Sequence, residues 1–256
     1  GRYAVGEGKS ISGGILSALT LDDSFKGLDE RPALFLDTET TGLSIGGSTL
    51  AALIGWSWFE GPGLNLRQTL LTCFGEERPM LSLLRERLEA SAYLVTYNGK
   101  SFDWPLLVNR FVMNRMPPPP VLPHFDLLHV ARRIFKKRLL RTRLIDIERE
   151  ILGKHRIDDI DGAEIPEVFM HLITSGEPGR VPEILRHNRD DLLALPALLG
   201  LLGRMVSDVD AVEDQRDLMP LAKLALRGGA PKRAEVCAQA AIDAKPRGQI
   251  PYEGLL

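Results

Sequence analysis

Cysteine is scarce in this chain. Cys73 and Cys237 stand far apart and form no CxxC pair, which excludes a disulfide framework and points to a reducing, cytoplasmic setting. Long apolar runs are also missing. The longest, Leu192 to Val206, is broken by Pro196, Gly200, Gly203 and Arg204; it is too short and too interrupted to span a bilayer, so no membrane partner is expected. The N-terminus has no basic segment leading into an apolar core, which argues against a signal peptide, and Gly1 in place of Met points to a processed or trimmed chain. Charge of one sign is not in excess: the formal net charge is −2, so any attraction to nucleic acid must be local. What remains is an ordinary soluble composition, 44% hydrophobic and 26% charged over 256 residues, enough for one large α/β domain with a small appendage.

Residues 1–30 show little periodicity and are expected to form an irregular or partly helical lead-in. Three strand-like segments follow, Ala33–Asp37, Leu50–Glu60 and Leu64–Cys73, separated by the turn signals "GGS" (Gly46–Ser48) and "GPG" (Gly61–Gly63), which favour antiparallel hairpins. Apolar spacing predicts helices over Glu76–Ala90 (Met80, Leu83, Leu84, Leu88), Trp104–Met113 and Val130–Leu140, with strands at Tyr93–Tyr97 and His124–Leu128. Further helices are expected over Leu144–Leu152, Ile165–Thr174 and Pro182–Met205. The order βββαβαβ followed by helices implies an α/β fold with a five-stranded mixed sheet flanked by helices, spanning residues 31–206, and a helical appendage over 214–256.

The stretch "LFLDTETTGL" places Asp37 and Glu39 at the end of an apolar strand. Residues i and i+2 share a strand face, so the two carboxylates project together. An exposed strand end would tolerate them, but a sharp turn through Gly42 follows at once, and like charges this close repel unless a cation lies between them. Asp103 in "YNGKSFDWPLL" sits between a strand and a Pro105-led helix; it suits a helix cap, and the same junction delivers a side chain to the sheet rim. In "HNRDDLLAL", His187 and Asp191 lie four apart and share a helix face, while Asp190 points elsewhere. Taken together, Asp37, Glu39, Asp103 and Asp191 are oxygen donors suited to Mg²⁺ or Mn²⁺. Two ions about 3.5–4 Å apart would grip the attacking and leaving oxygens of a phosphodiester, with His187 as general base.

The order "DTETTGL", "YNGKSFDWPLL", "HNRDD" resembles the DEDD (DnaQ-like) superfamily of 3′–5′ exonucleases, which share a ribonuclease H-like fold. Asp37 and Glu39 match its D-x-E motif and Thr38, Thr40, Thr41, Gly42 and Leu43 its common continuation. Asn98, Phe102 and Asp103 match the second motif, and His187 and Asp191 the histidine version of the third. The step from Asn98 to Asp103 with its flanks is more like the proofreading domains of family B polymerases, which usually carry tyrosine in the third motif. The chain therefore looks like a separate branch, similar to bacterial ribonuclease H-like proteins that carry tetratricopeptide repeats. The resemblance covers residues 30–205. It implies a two-metal exonuclease acting on a 3′ end of single-stranded DNA or RNA, with catalytic Asp37, Glu39, Asp103, His187 and Asp191 and substrate contacts from Thr38, Thr41, Leu43, Asn98 and Phe102. Two rivals stay open: a catalytically silent binding module and an endonuclease on the same fold.

The run "RRIFKKRLLRTR" (Arg132–Arg143) carries seven basic residues. It fits either a solvated helix face or a phosphate contact, with Arg133 and Lys137 as candidates. His124, Asp126 and His129 superficially resemble a zinc site, but histidines five positions apart suit one face of neither strand nor helix; Asp126 is expected to orient the fifth strand or hydrogen-bond near the site. The segment Asp214–Lys245 resembles one tetratricopeptide unit, with Ala234, Ala241 and Pro246 at its small-residue and proline positions and Leu218 and Ala238 where larger aromatics are usual. Such units stack, so this segment is expected to be part of an incomplete array that docks a protein partner.

Overall fold

The computed structural model describes residues 4–9, 11–28, 31–42 and 49–244. Leu43, the "GGS" turn and Pro246 lie outside the described residues. The five strands are β1 (Ala33–Thr40), β2 (Ala51–Glu60), β3 (Gly63–Leu70), β4 (Tyr93–Thr96) and β5 (His124–Asp126), in the spatial order β3-β2-β1-β4-β5. β1, β2 and β3 pair antiparallel, whereas β4 runs parallel to β1 and β5 parallel to β4. This is the expected mixed sheet with flanking helices, and the fold is ribonuclease H-like.

Among the described residues the α-helices are α1 (Gly13–Thr20), α2 (Glu77–Glu89), α3 (Asp103–Met113), α4 (Leu127–Phe135), α5 (Leu144–Ile147), α6 (Ile165–Ser175), α7 (Val181–Ser207), α8 (Gln215–Arg227) and α9 (Pro231–Asp243); a π-helical turn, Glu148–Leu152, continues α5. The alternation of β1 decides what covers each face. Leu34 and Leu36 are fully buried with Leu81, Leu84 and Leu88 of α2 and Leu106, Leu107 and Phe111 of α3. Phe35 points the other way, into a core shared with α1, α4, α7 and α8. Leu16, Leu19 and Phe25 of the lead-in are fully buried in that same core. The apolar second half of α7, far from a membrane segment, is the central helix of this layer; among the described residues no helix is long and apolar enough to cross a membrane.

Three expectations are revised. In α2 the buried face is Met80, Leu81, Leu84 and Leu88, and Leu83 is partly exposed. Helix α4 ends at Phe135, five residues early: the chain turns there, Arg138 pairs with Asp217 at 2.7 Å, and Leu139 still packs against the core. The fifth strand ends at Asp126, whose carboxylate accepts from the Leu128 N–H and starts α4. Beyond α7, α8 and α9 form a helical hairpin; α8 buries Leu218, Leu221 and Leu224 against the body of the protein.

Candidate functional site

The carboxylates gather where β1 runs out of core. Along β1 the first four residues are buried and the next four, Asp37 to Thr40, are half-buried. Asp37 and Glu39 stand on the same face as Phe35, toward α7. In the β1–β2 register Asp37 faces Gly55. A Cβ on Gly55 would collide with the Asn188 amide and with Leu192, so glycine here is what lets α7 lie against the sheet. The close approach allows Asn188 Nδ2 to donate to Asp37 Oδ2 at 2.7 Å. Gln68 on β3 donates to Asn188 Oδ1 at 2.9 Å and fixes that amide.

Thr38 points to the opposite face and takes hold of Asp103. Its backbone N–H and its hydroxyl both donate to Asp103 Oδ1, at 3.1 and 2.5 Å. Asp103 is therefore no cap of α3: it is the first helical residue, and the Phe102 cap position makes no side-chain cap bond. Thr41 exchanges hydrogen bonds with Leu50 and closes the β1–β2 connection. Asn98 turns the chain in a left-handed conformation (φ 66°), its N–H donating to Asp126 at 2.7 Å. Phe102 is 52% exposed at the start of α3. Leu43 lies outside the described residues.

From α7 come His187 and Asp191. His187 Nε2 lies 3.8 Å from Glu39 Oε1 and 3.7 Å from Asp191 Oδ2, and donor atoms of Glu39, His187 and Asp191 all fall within 4.8 Å of one another. Asp190 faces away and pairs with Lys154 and Arg189. Asp37 joins this group through Asn188, the neighbour of His187 on α7, and Asp103 through Thr38, which lies between Asp37 and Glu39 on β1. Burial, then the charges of Asp191, Glu39 and Asp103, push Asp37 well above the ordinary carboxylate range. Burial, with Asp191 and Asp103, does the same to Glu39. Asp103 rises to about 6 through burial, against the two Thr38 bonds that favour its charge. All five expected residues converge.

The motifs missed a second tier of residues on the segment between α5 and α6. Arg156 is almost fully buried and bonds Glu148 (2.5 Å from Nε), Asp159 (3.2 Å) and Asp191. Burial opposes its charge, but Asp191 and Glu148 more than restore it. Asp159 Oδ1 is 2.7 Å from His187 Nδ1. Ile160, buried among Phe169, Leu172 and Ile184, pins this segment. The run "HRIDDID" is the signal that the sequence carries, a density of charge between helices; Asn188, next to His187, has no such mark.

Around this rim stand six carboxylates (Asp37, Glu39, Asp103, Glu148, Asp159, Asp191) against the cations Arg156 and Lys154, the latter 3.4 Å from Glu148. So much buried negative charge, with oxygen donors converging beside one imidazole, fits a hard divalent cation. The supposed zinc triad does not assemble in this way. His124 Nε2 lies 2.8 Å from Thr96 Oγ1, and burial lowers its pKa to about 4. Asp126 accepts from the backbone N–H groups of Asn98, Lys100 and Leu128, and so shapes the turn leading to Asp103.

The basic run divides in the structure. Arg133 is half-buried and donates to the Leu19 carbonyl at 3.0 Å; Lys137 is exposed.

Comparison with known proteins agrees with this architecture. The chain is 34% identical over 210 residues to the uncharacterized protein YprB of Bacillus subtilis (strain 168), an alignment that takes in 81% of this chain and 51% of that protein. The chain thus spans about half the length of the curated relative it matches. The family B DNA polymerase of the hyperthermophilic archaeon Pyrobaculum calidifontis has a similar fold over 78% of this chain and 30% of its own, with a TM-score of 0.52 and 16% identity. The model of the RNase_H superfamily matches residues 34–202. With its five-stranded sheet and the acids at its rim, this chain belongs to the RNase_H superfamily.

Proposed function

We propose that this chain is a divalent-metal-dependent 3′–5′ exonuclease that hydrolyses phosphodiester bonds at the ends of single-stranded DNA or RNA. The observation that carries the proposal is the convergence of Asp37, Glu39, Asp103, His187 and Asp191, drawn from over 150 positions, on one sheet rim. Mg²⁺ or Mn²⁺, as a pair of ions held by Asp37, Glu39, Asp103 and Asp191, would polarise the phosphodiester and lower the pKa of the attacking water.

The chain's own residues do the rest. Asp159 accepts from His187 Nδ1–H, which leaves Nε2 as the base that takes the proton of the attacking water. Arg156 holds Asp191 in place, and Thr38 holds Asp103. Asn188 orients Asp37. Phe102, exposed beside Asp103, offers an aromatic face to a terminal base, as single-strand binders do. Thr41 and Asn98 belong to the turns that flank the rim; they are proposed as further substrate contacts, as is Leu43, which lies outside the described residues. The helical hairpin α8–α9 is proposed as one unit of an incomplete repeat array that meets a protein partner.

The test uses 5′- and 3′-labelled single strands of DNA and RNA with Mn²⁺, a chelator control and the Asp37→Ala variant. A ladder shortening from the 3′ end, abolished by chelator and by Asp37→Ala, is expected. Loss from the 5′ end, or unchanged activity in Asp37→Ala, would overturn the proposal; cleavage of a circular strand would replace it with an endonuclease. Titration calorimetry with Mn²⁺ separates out a silent module, for which no carboxylate-dependent binding would be seen.

A further inference from the structure

The loop after α4 leaves a basic cavity that the catalytic proposal does not use. Its volume is about 490 Å³, and Arg138, Arg141, Arg143 and Arg149 line it around Leu140. Two carboxylates share it: Asp146, 2.9 Å from Arg143 and 3.6 Å from Arg149, and Glu150, 2.7 Å from Arg149. Arg143 and Arg149 face these two acids and Arg138 is paired with Asp217, so of the four guanidinium groups Arg141 is the one that no described acid compensates. Lys136 and Lys137 add to them from the preceding turn; with Arg141 they are exposed and ion-paired to none of the described residues.

The pairs are unequal. Arg138 is held by Asp217, which is almost fully buried, and fastens the loop to α8. Arg143 and Arg149 are 62% and 47% exposed. Asp146 is buried, but the Arg149–Glu150 pair is exposed on both sides; exposed ion pairs contribute little, so a phosphate oxygen can replace the Glu150 carboxylate there with small loss. Leu140 is fully exposed at the centre of the loop, an apolar side chain with no core to join.

The loop is also fixed relative to the acids. The Tyr97 hydroxyl donates to the Thr142 carbonyl, tying it to the end of β4, from which the turn to Asp103 departs. On the other side Arg143 starts α5, and the next turn carries Glu148, the partner of Arg156. From Arg143 to Glu148 the helical rise is about 7–8 Å. A rim of buried carboxylates repels phosphates, so a strand must be held by cations nearby.

We propose that the loop Lys136–Arg143, with Arg149, is the contact for the phosphodiester backbone of the single strand whose end lies at the acidic rim, with Leu140 against a base face. This rests on the nuclease reading above. The test measures binding of labelled 20-nucleotide single strands, one arm DNA and one RNA, to the full chain carrying Asp37→Ala, across a salt series. Lys136→Ser/Lys137→Ser/Arg141→Ser is compared with Lys232→Ser, an exposed lysine on α9. The triple variant should bind about tenfold more weakly at low salt, with the slope of log affinity on log salt reduced by about 2, since each lost phosphate contact on a single strand takes roughly 0.7 from it. The single Arg141→Ser should show about a third of that reduction in slope, which covers the case of a triple variant that fails to fold. The strand type with the lower Kd identifies the preferred backbone. Unchanged affinity and slope, equal loss in Lys232→Ser, or equally tight loop-dependent binding of poly-glutamate would each overturn the proposal. If the intact chain hydrolyses no strand yet keeps loop-dependent, salt-sensitive binding, the nuclease reading falls and the backbone contact stands.

Discussion

At the scale of single residues, the site is a concentration of like charge held together by a few hydrogen bonds. Asp37 is the sharpest case: burial and three neighbouring acids all oppose its ionisation, and Asn188 alone favours it. Replacing it by asparagine removes the repulsion and keeps the shape. Asp37→Asn should therefore stabilise the chelated protein by about 1 kcal/mol or more, raising Tm by roughly 2–4 °C, while nuclease activity is lost; thermal melts in chelator and a strand-degradation assay check both halves. Asp159 touches no expected reacting atom and acts through His187. Asp159→Asn should lower kcat by about 10–100-fold with little change in KM, and Asp159→Glu should recover part of it. A parallel fall in Mn²⁺ affinity would instead assign Asp159 to holding the acids.

At the scale of elements, the site exists because α7 lies unusually close to β2. Gly55 opposes Asp37 across the β1–β2 pair, and any side chain there meets Asn188 and Leu192. Gly55→Ala should cost about 1–3 kcal/mol through overpacking and should cut activity as well, since Asn188 and the His187–Asp191 face move together. A melt and an assay on the same variant decide this; activity loss without destabilisation would mean that the helix had not shifted. The segment between α5 and α6 is a second such element. Its buried Ile160 and its Arg156 join the cluster of Phe169, Leu172 and Ile184 to Asp191, so a stretch that is irregular around these residues is fastened where the chemistry needs it.

At the scale of the whole molecule, the acids make the metal-free protein sensitive to pH in an unusual direction. Asp103 rises to about 6, and Asp37 and Glu39 rise well above their ordinary values, burial being the first cause in each. The folded state then binds more protons than the unfolded state between the ordinary carboxylate range and these raised values. Stability accordingly falls as pH rises through that window. Melts in chelator should show a higher Tm at pH 5.5 than at pH 7.5, and Mn²⁺ at pH 7.5 should restore what was lost. A chelated protein most stable at neutral pH would contradict the crowded-carboxylate picture.

Much of this was legible in the sequence, and the reasons are local. Asp37 and Glu39 share a face because strand periodicity is two, and His187 and Asp191 do so because helical spacing is near four; no tertiary knowledge is needed for either. The continuous apolar run of β1 and the apolar stripes of α2, α3 and α7 likewise determine the class of fold. Tertiary structure alone decided which partners those residues meet. Nothing near Thr38 in the chain says that it grips Asp103, 65 positions away, and no periodicity marks Arg156 and Asp159, which lie on an irregular segment and are brought in by the burial of Ile160. The basic run shows the same division: its charge is written in the sequence, but the end of α4 at Phe135 and the capture of Arg138 by Asp217 decide which of its cations face solvent. Periodicity is a property of neighbours along the chain, whereas a site of opposed charges depends on contacts between distant segments, which only packing of the core can set.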